Sequence, residues 1–173
     1  MILGLDISTS ITGFCVLGDD GIVTRTGYID MRKEKDFFAK VQIAKEKVVE
    51  IIKEYKIDDV WIEQSLQAFR PGMSSIKTLL TLAKFNGILS WVIWEETNKV
   101  PNYIGATSAR KTCGIKVSRG EKAKKVVVNF LLDTEPSFVV DYTKFGNIKQ
   151  HFFDVADAIV IAKAGHVCRS TQK

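Results

Sequence analysis

Apolar residues run almost unbroken through MILGL at the start of the chain and again through ITGFCVL from Ile11, with a short polar turn between them. Short apolar runs bounded by turn signals read as buried strands. Residues 2–7 and 11–17 are therefore expected to be two strands, the second returning beside the first. Gly18-Asp19-Asp20-Gly21 is a hairpin connection to a third strand over 22–29. The period then lengthens. Phe37, Phe38, Val41, Ala44, Val48, Ile51, Ile52 and Tyr55 recur at three- and four-residue steps, which predicts an amphipathic helix over about 35–55. Residues 58–63 (DDVWIE) read as a fourth strand and 64–73, with Arg70-Pro71-Gly72, as a loop. A long helix follows over 74–96, with Ser74 or Ser75 as its cap. A fifth strand is expected over 100–104, then shorter helices over 107–113 and 119–132 joined by a turn containing glycine. Residues 133–150 read as irregular and 151–164 as the last helix, with the tail after about 165 frayed. Hairpin strands followed by alternating helices and strands make an α/β chain with a mixed five-stranded sheet. No repeat or low-complexity tract divides it, and 173 residues suit one domain over 1–173.

Against that pattern, four acids stand out. Asp6 closes the first apolar strand and Glu63 closes the fourth; if those strands lie side by side, the two carboxylates face each other. The final helix, HFFDVADAIVIA, carries Asp154 and Asp157 three positions apart, so both lie on one helix face with Cβ atoms roughly 5–6 Å apart. Each acid sits in apolar company, where a lone buried carboxylate costs several kcal/mol or stays protonated. Singly, each has an ordinary explanation: Asp154 as a helix cap, Glu63 as the end of a strand, Asp157 paired with a lysine such as Lys163. Together they would repel one another unless divalent cations bind among them. Hard cations such as Mg²⁺ favour carboxylate oxygens, and two of them about 3.5–4 Å apart form a device for in-line phosphodiester hydrolysis.

Charge adds a second feature. The net charge is +5, yet Arg110, Lys111, Lys116, Arg119, Lys122, Lys124 and Lys125 crowd into one window with Glu121 as its single acid. The rest of the chain is close to neutral. A basic patch on a neutral body points to a polyanion contact, with a solvated helix face as the plain alternative. Composition is otherwise ordinary, at 46% hydrophobic and 26% charged. Cys15, Cys113 and Cys168 are widely spaced with no CxxC pair, which indicates neither a disulfide framework nor a zinc site and makes a reducing compartment the default. No cleavage site marks a signal peptide. The longest uncharged apolar stretch, 85–94, is too short to span a bilayer, so no membrane association is expected.

LGLD near the start, an apolar strand ending in IEQ, and a late D-x-x-D-A helix resemble the RuvC-type Holliday junction resolvases, and the resemblance spans nearly the whole chain. It implies a ribonuclease H-like fold, a mixed five-stranded sheet with helices on both faces. It also implies a Mg²⁺-dependent homodimer that makes paired nicks in four-way junctions and other branched DNA, in the cytoplasm of a bacterial or phage-infected cell. By matching motifs, Asp6, Glu63, Asp154 and Asp157 correspond to the family's catalytic carboxylates. Two Mg²⁺ per site are expected, Asp6 bridging them, with Mn²⁺ as a substitute. Lys111 and Lys122 correspond to the family's DNA-contacting lysines, with Arg110, Lys116 and Arg119 as further phosphate contacts. Gln64 matches the residue after the catalytic glutamate.

The chain also departs from the pattern. Leu66 stands where the bacterial family has a base-contacting aromatic, and the nearest aromatic is Phe69. The first motif reads LDISTS in place of D-P-G, and 133–150 has no family counterpart. These differences resemble a phage or divergent member and leave sequence preference and strict junction selectivity open. His151, one turn before Asp154, is either an outer-sphere group or a surface histidine. A related nuclease acting on RNA–DNA hybrids or flaps would carry the same acids. An actin-type small-molecule kinase shares the acid-ended first strand but needs two lobes and a second phosphate loop. Finally, KFNGILSWVIW is apolar nearly all round, so the long helix is either a central core helix or half of a partner interface.

Overall fold

The computed structural model describes residues 1–64 and 75–171. Leu66, Phe69, Ser74 and the loop expected over 64–73, Gln64 excepted, lie outside the described residues. Five strands form one sheet: β1 (Ile2–Asp6), β2 (Ile11–Leu17), β3 (Val23–Asp30), β4 (Asp59–Glu63) and β5 (Asn102–Ile104), in the order β3-β2-β1-β4-β5. The hairpin strands pair antiparallel, whereas β4 joins β1 and β5 joins β4 in parallel. The helices are α1 (Phe37–Glu54), α2 (Ile76–Thr97), α3 (Ala106–Thr112), α4 (Ala123–Thr134) and α5 (His151–Thr171).

Strand alternation sorts the sheet into two faces. Leu3 and Leu5 of β1, Phe14 and Val16 of β2, and Val60 and Ile62 of β4 enter one apolar cluster with Val48 and Ile51 of α1 and Phe85, Leu89 and Ile93 of α2. Ile2, Cys15, Leu17 and Trp61 point the other way, into a cluster with α4 and α5. Burial on both faces explains why β1 and β2 read as continuous apolar runs. On the α5 face, two positions carry no side chain at all. A Cβ at Gly4 would lie 2.7 Å from the Ala162 Cβ, and one at Gly13 would collide with the Asp154 backbone carbonyl. The glycines therefore let α5 lie close against β1 and β2.

Several boundaries differ from expectation for local reasons. Helix α2 starts at Ile76, with Ser75 Oγ accepting from the Thr78 N–H, and ends at Asn98 in the left-handed conformation. Helix α4 begins at Ala123, four residues later than expected, because Gly120 takes φ +91° in the turn before it. Arg119 and Lys122 thus precede the helix. The tail is helical to Thr171, and Arg169 ties it down by bonding Asp19 at 2.7 Å. The 22-residue α2 is also long and apolar enough to cross a membrane by length and composition, which the shorter uncharged run did not reveal. Phe85, Asn86, Leu89, Val92 and Ile93 are nevertheless buried within this fold, so one face of α2 is a core face.

Candidate active site

Parallel pairing sets Leu5 opposite Ile62. The next residues, Asp6 and Glu63, therefore end neighbouring strands on the same edge of the sheet. Both belong to the alternation that faces α5, and α5 brings Asp157 down onto them. Asp6, Glu63 and Asp157 each offer a carboxylate oxygen, and these oxygens all lie within 4.8 Å of one another. Asp154 is held differently. Its Oδ1 takes the Lys124 ammonium at 3.0 Å, and the same ammonium reaches Asp157 Oδ2 at 3.2 Å. Of the four acids singled out from sequence, three converge directly and the fourth joins them through Lys124.

Burial and mutual repulsion dominate the electrostatics of this group. Burial, and then the charges of Glu63 and Asp157, push the Asp6 carboxyl well above the ordinary aspartate range. Glu63 is pushed up to about 7, by burial first and Asp157 second. Burial also raises Asp157, with Lys124 pulling it back. Burial opposes the charge on Lys124, but Asp157, Asp6 and Asp154 outweigh it and hold its pKa above the ordinary lysine value. No buried side-chain polar atom lacks a partner among the described residues, so the carboxylate oxygens open toward solvent. Clustered hard oxygen donors with an open side suit Mg²⁺ or Mn²⁺ and fit neither zinc's thiolates nor a redox metal's imidazoles.

Lys124 was not distinguished from its neighbours in the basic window. The signal was present: 124, 127, 128 and 131 form one stripe of α4, and Val127, Val128 and Leu131 are all buried against α5. A lysine on the inward stripe must find acids there. The same spacing holds in the helix expected over 119–132, so the stripe is legible in the sequence itself.

The remaining candidates surround the group. Arg110, in the last turn of α3, lies close enough for its charge to lower Glu63 and Asp157. Arg110, Lys111 and Lys116 line one hollow of about 370 Å³ with Thr107. Arg119 and Lys122 are exposed on the approach to α4. That helix has no side-chain cap, so N–H groups of its first turn lack an intrahelical partner, close in sequence to the exposed Lys122 and Lys125. The Gln64 N–H donates to the Ile104 carbonyl at 2.9 Å. His151 is neither a free surface group nor a member of the acid cluster. Its ring stacks on Tyr28 at 4.0 Å between centroids and lies 4.4 Å from Phe152, which pins the start of α5 to β3.

A model of the family described as Crossover junction endodeoxyribonuclease RuvC matches residues 2–165. The chain belongs to the RuvC family. A relative from Aliarcobacter butzleri (strain RM4018), named Crossover junction endodeoxyribonuclease RuvC, is 28% identical over 173 residues, covering 93% of this chain and 94% of the relative. Among solved structures, T. thermophilus RuvC in complex with a Holliday junction substrate superposes with a TM-score of 0.68 at 14% identity, over 98% of this chain and 94% of that one. The yeast mitochondrial Holliday junction resolvase gives 0.63 at 14% identity, over 98% and 78%. These likenesses establish the ribonuclease H-like fold. RuvC proteins are metal-dependent nucleases, and among the described residues the cluster of Asp6, Glu63 and Asp157 could hold a metal ion. Membership of the RuvC family also sets aside the small-molecule kinase alternative.

Proposed function

We propose that this chain is an endonuclease that resolves four-way DNA junctions, and acts on related branched DNA, by paired nicks from a homodimer. The observation that carries this reading is the meeting of Asp6, Glu63 and Asp157 at the ends of two adjacent strands beneath α5, in a chain matched to the RuvC family over 2–165. Asp6, Glu63, Asp154 and Asp157 are the catalytic carboxylates and would hold two Mg²⁺, with Mn²⁺ able to replace them. Bound there, the cations would supply a water made nucleophilic at neutral pH and positive charge for the leaving oxygen. Asp6, Glu63 and Asp157 each offer an oxygen within 4.8 Å of the others, so all three would serve as ligands. Lys124 partly neutralises Asp154 and Asp157, at 3.0 and 3.2 Å, and would contribute positive charge beside the phosphate being cut.

Arg110, Lys111, Lys116, Arg119 and Lys122 neutralise backbone phosphates and set the register of the strand, carrying little sequence information themselves. The uncapped start of α4 adds backbone donors to the same surface. The outward side of α2 supports the homodimer. Ile76, Leu80, Trp91 and Trp94 are 61%, 57%, 53% and 47% exposed, at four- and three-residue steps on one stripe, with Ala83 and Gly87 exposed between them. A second copy laid along this stripe would cover it and present two sites to symmetric strands. Phe85, Leu89 and Val92 face the core and take no part. The cytoplasm is the compartment in which such an enzyme would meet its DNA.

The test is cleavage of labelled four-way, three-way, flap and RNA–DNA hybrid substrates in Mg²⁺. Fastest cutting of the four-way junction, at paired positions, is expected. Preferential cutting of hybrids or flaps would replace this reading with another ribonuclease H-like activity on the same carboxylates.

A further inference from the structure

The segment expected to be irregular folds into a narrow hairpin just before α5. Tyr142 bridges Ile148. The Thr143 N–H donates to the Asn147 carbonyl at 2.7 Å, and the Lys149 N–H to the Asp141 carbonyl at 3.0 Å. Gly146 turns the chain at φ +75°. Beneath the hairpin lies a cavity of about 470 Å³ whose walls include Lys125 and Asn129 of α4, Tyr142 and Asn147 of the hairpin, and Phe153 of α5. That volume is within the range of small-ligand sites, about 300–1,000 Å³.

Its position is informative. Lys125 follows Lys124, and Phe153 precedes Asp154, the two residues that meet at 3.0 Å in the carboxylate site. Consecutive Cα atoms are about 3.8 Å apart, so cavity and site lie side by side, one residue step apart on each of α4 and α5. The chemistry is also specific. Among the described residues, neither the Asn129 nor the Asn147 side-chain amide bonds another group, and no carboxylate pairs with Lys125. No acid lines the cavity. Aromatic faces, two free amides and a free ammonium are what an unstacked nucleobase and its phosphate require. The base face stacks on an aromatic ring, its edge is read by an amide with both donor and acceptor, and the phosphate takes the cation.

We propose that this cavity receives one nucleobase of the strand being cut, displaced from its stack beside the scissile phosphate, and reads it through Asn129 and Asn147. The site rests on the reading of the chain as a branched-DNA nuclease. Tyr142, 57% exposed, supplies the stacking surface. Phe145 at the hairpin tip, 78% exposed with the Lys144 ammonium 5.0 Å from its ring centre, extends that surface toward the next base.

The experiment has two arms. In the first, Asp6→Asn protein binds a four-way junction carrying 2-aminopurine at each nucleotide flanking the cleavage point. One position should change its emission on binding, and the change should vanish in an Asn129→Ala, Asn147→Ala double variant. Both amides are on exposed residues, so the variant keeps its fold. In the second, cleavage-competent protein is profiled on junctions randomised around the cut. The double variant should lose about ten-fold discrimination at that one position, the loss expected for one amide–base pairing, while still cutting. A variant profile or emission superimposable on that of the parent overturns the proposal. If the parent cuts no branched DNA, the proposed function fails instead, and the fluorescence arm, which needs only binding, still judges the cavity.

Discussion

The two faces of the sheet solve different problems with similar material. On the α1–α2 face, Leu3, Leu5, Phe14 and Val16 meet Val48, Ile51, Phe85 and Leu89. Large side chains fill the gap between layers and hold the helices off. On the α5 face, Gly4 and Gly13 leave the strand surface bare opposite Ala158, Ala162 and the Asp154 backbone, so the helix comes close. The first face is built for volume, the second for distance. Distance is what a metal site needs, because Asp157 reaches Asp6 and Glu63 only if α5 lies low on the sheet.

The strongest way to break this contrast is to add one methyl group to the near face. Gly13→Ala drives a Cβ into the Asp154 carbonyl, and relieving it must lift α5. A stability loss of about 1–3 kcal/mol is expected. A lift of about 1 Å should cost junction cutting roughly 100-fold. Ile51→Ala, on the far face at 2% exposure, should cost about 2–5 kcal/mol and yet leave metal affinity unchanged. Urea melts and Mn²⁺ titrations of the two variants would show stability and metal binding moving independently.

A second prediction turns the far face outward. Trp91→Glu places a charge on the exposed stripe of α2; if the proposed homodimer forms along it, sedimentation should report dimers for the parent and monomers for the variant, with nicks no longer paired. The melting temperature of the variant monomer should be close to that of other surface substitutions.

Metal-free stability should depend on pH in a direction set by the near face. Asp6, Glu63 and Asp157 all titrate above their ordinary range in the folded chain. A raised folded pKa gives stability that is complete below the unfolded pKa and lost as pH rises through the folded one. For Glu63 that window runs from 4.5 to about 7. In a chelator, thermal melting should therefore fall across this range, and Lys124→Met, which removes the counter-charge, should deepen the fall. Saturating Mg²⁺ should abolish it. A flat chelated profile would mean the acids do not share a site.

The smallest expected effect belongs to the basic rim. Lys111→Ala and Lys122→Ala should each reduce the log–log salt slope of junction binding by about one unit, equally for every DNA sequence. An unchanged slope would assign these lysines to a solvated surface.

Much of the near face was readable in the chain because its signals are local or ordinal. An acid ending an apolar strand, a second acid ending the next parallel-capable strand, and a D-x-x-D helix bring Asp6, Glu63, Asp154 and Asp157 to one edge. What was not readable depended on single backbone conformations. Gly120 at φ +91° delays α4 to Ala123, which leaves Arg119 and Lys122 outside the helix while Lys124 stays on the stripe of Val127, Val128 and Leu131. Gly146 at φ +75° makes a hairpin of a segment whose composition is merely polar and aromatic. Asp154 lies on the same helix face as Asp157 but is drawn to Lys124, a choice that spacing cannot express. The docking of α5 at close range was likewise invisible, since a glycine in a strand states that something approaches without saying what.

The central claim is that Asp6 is a carboxylate kept in apolar surroundings to bind a catalytic cation. Asp6→Asn protein, assayed for cutting of a labelled four-way junction in Mg²⁺ alongside junction binding and chelated thermal melting, tests it most directly. Cutting should disappear, junction affinity should persist, and the metal-free melting temperature should rise as one repelling charge leaves the cluster. Asp6→Asn protein that still cuts at close to the parent rate would contradict the account.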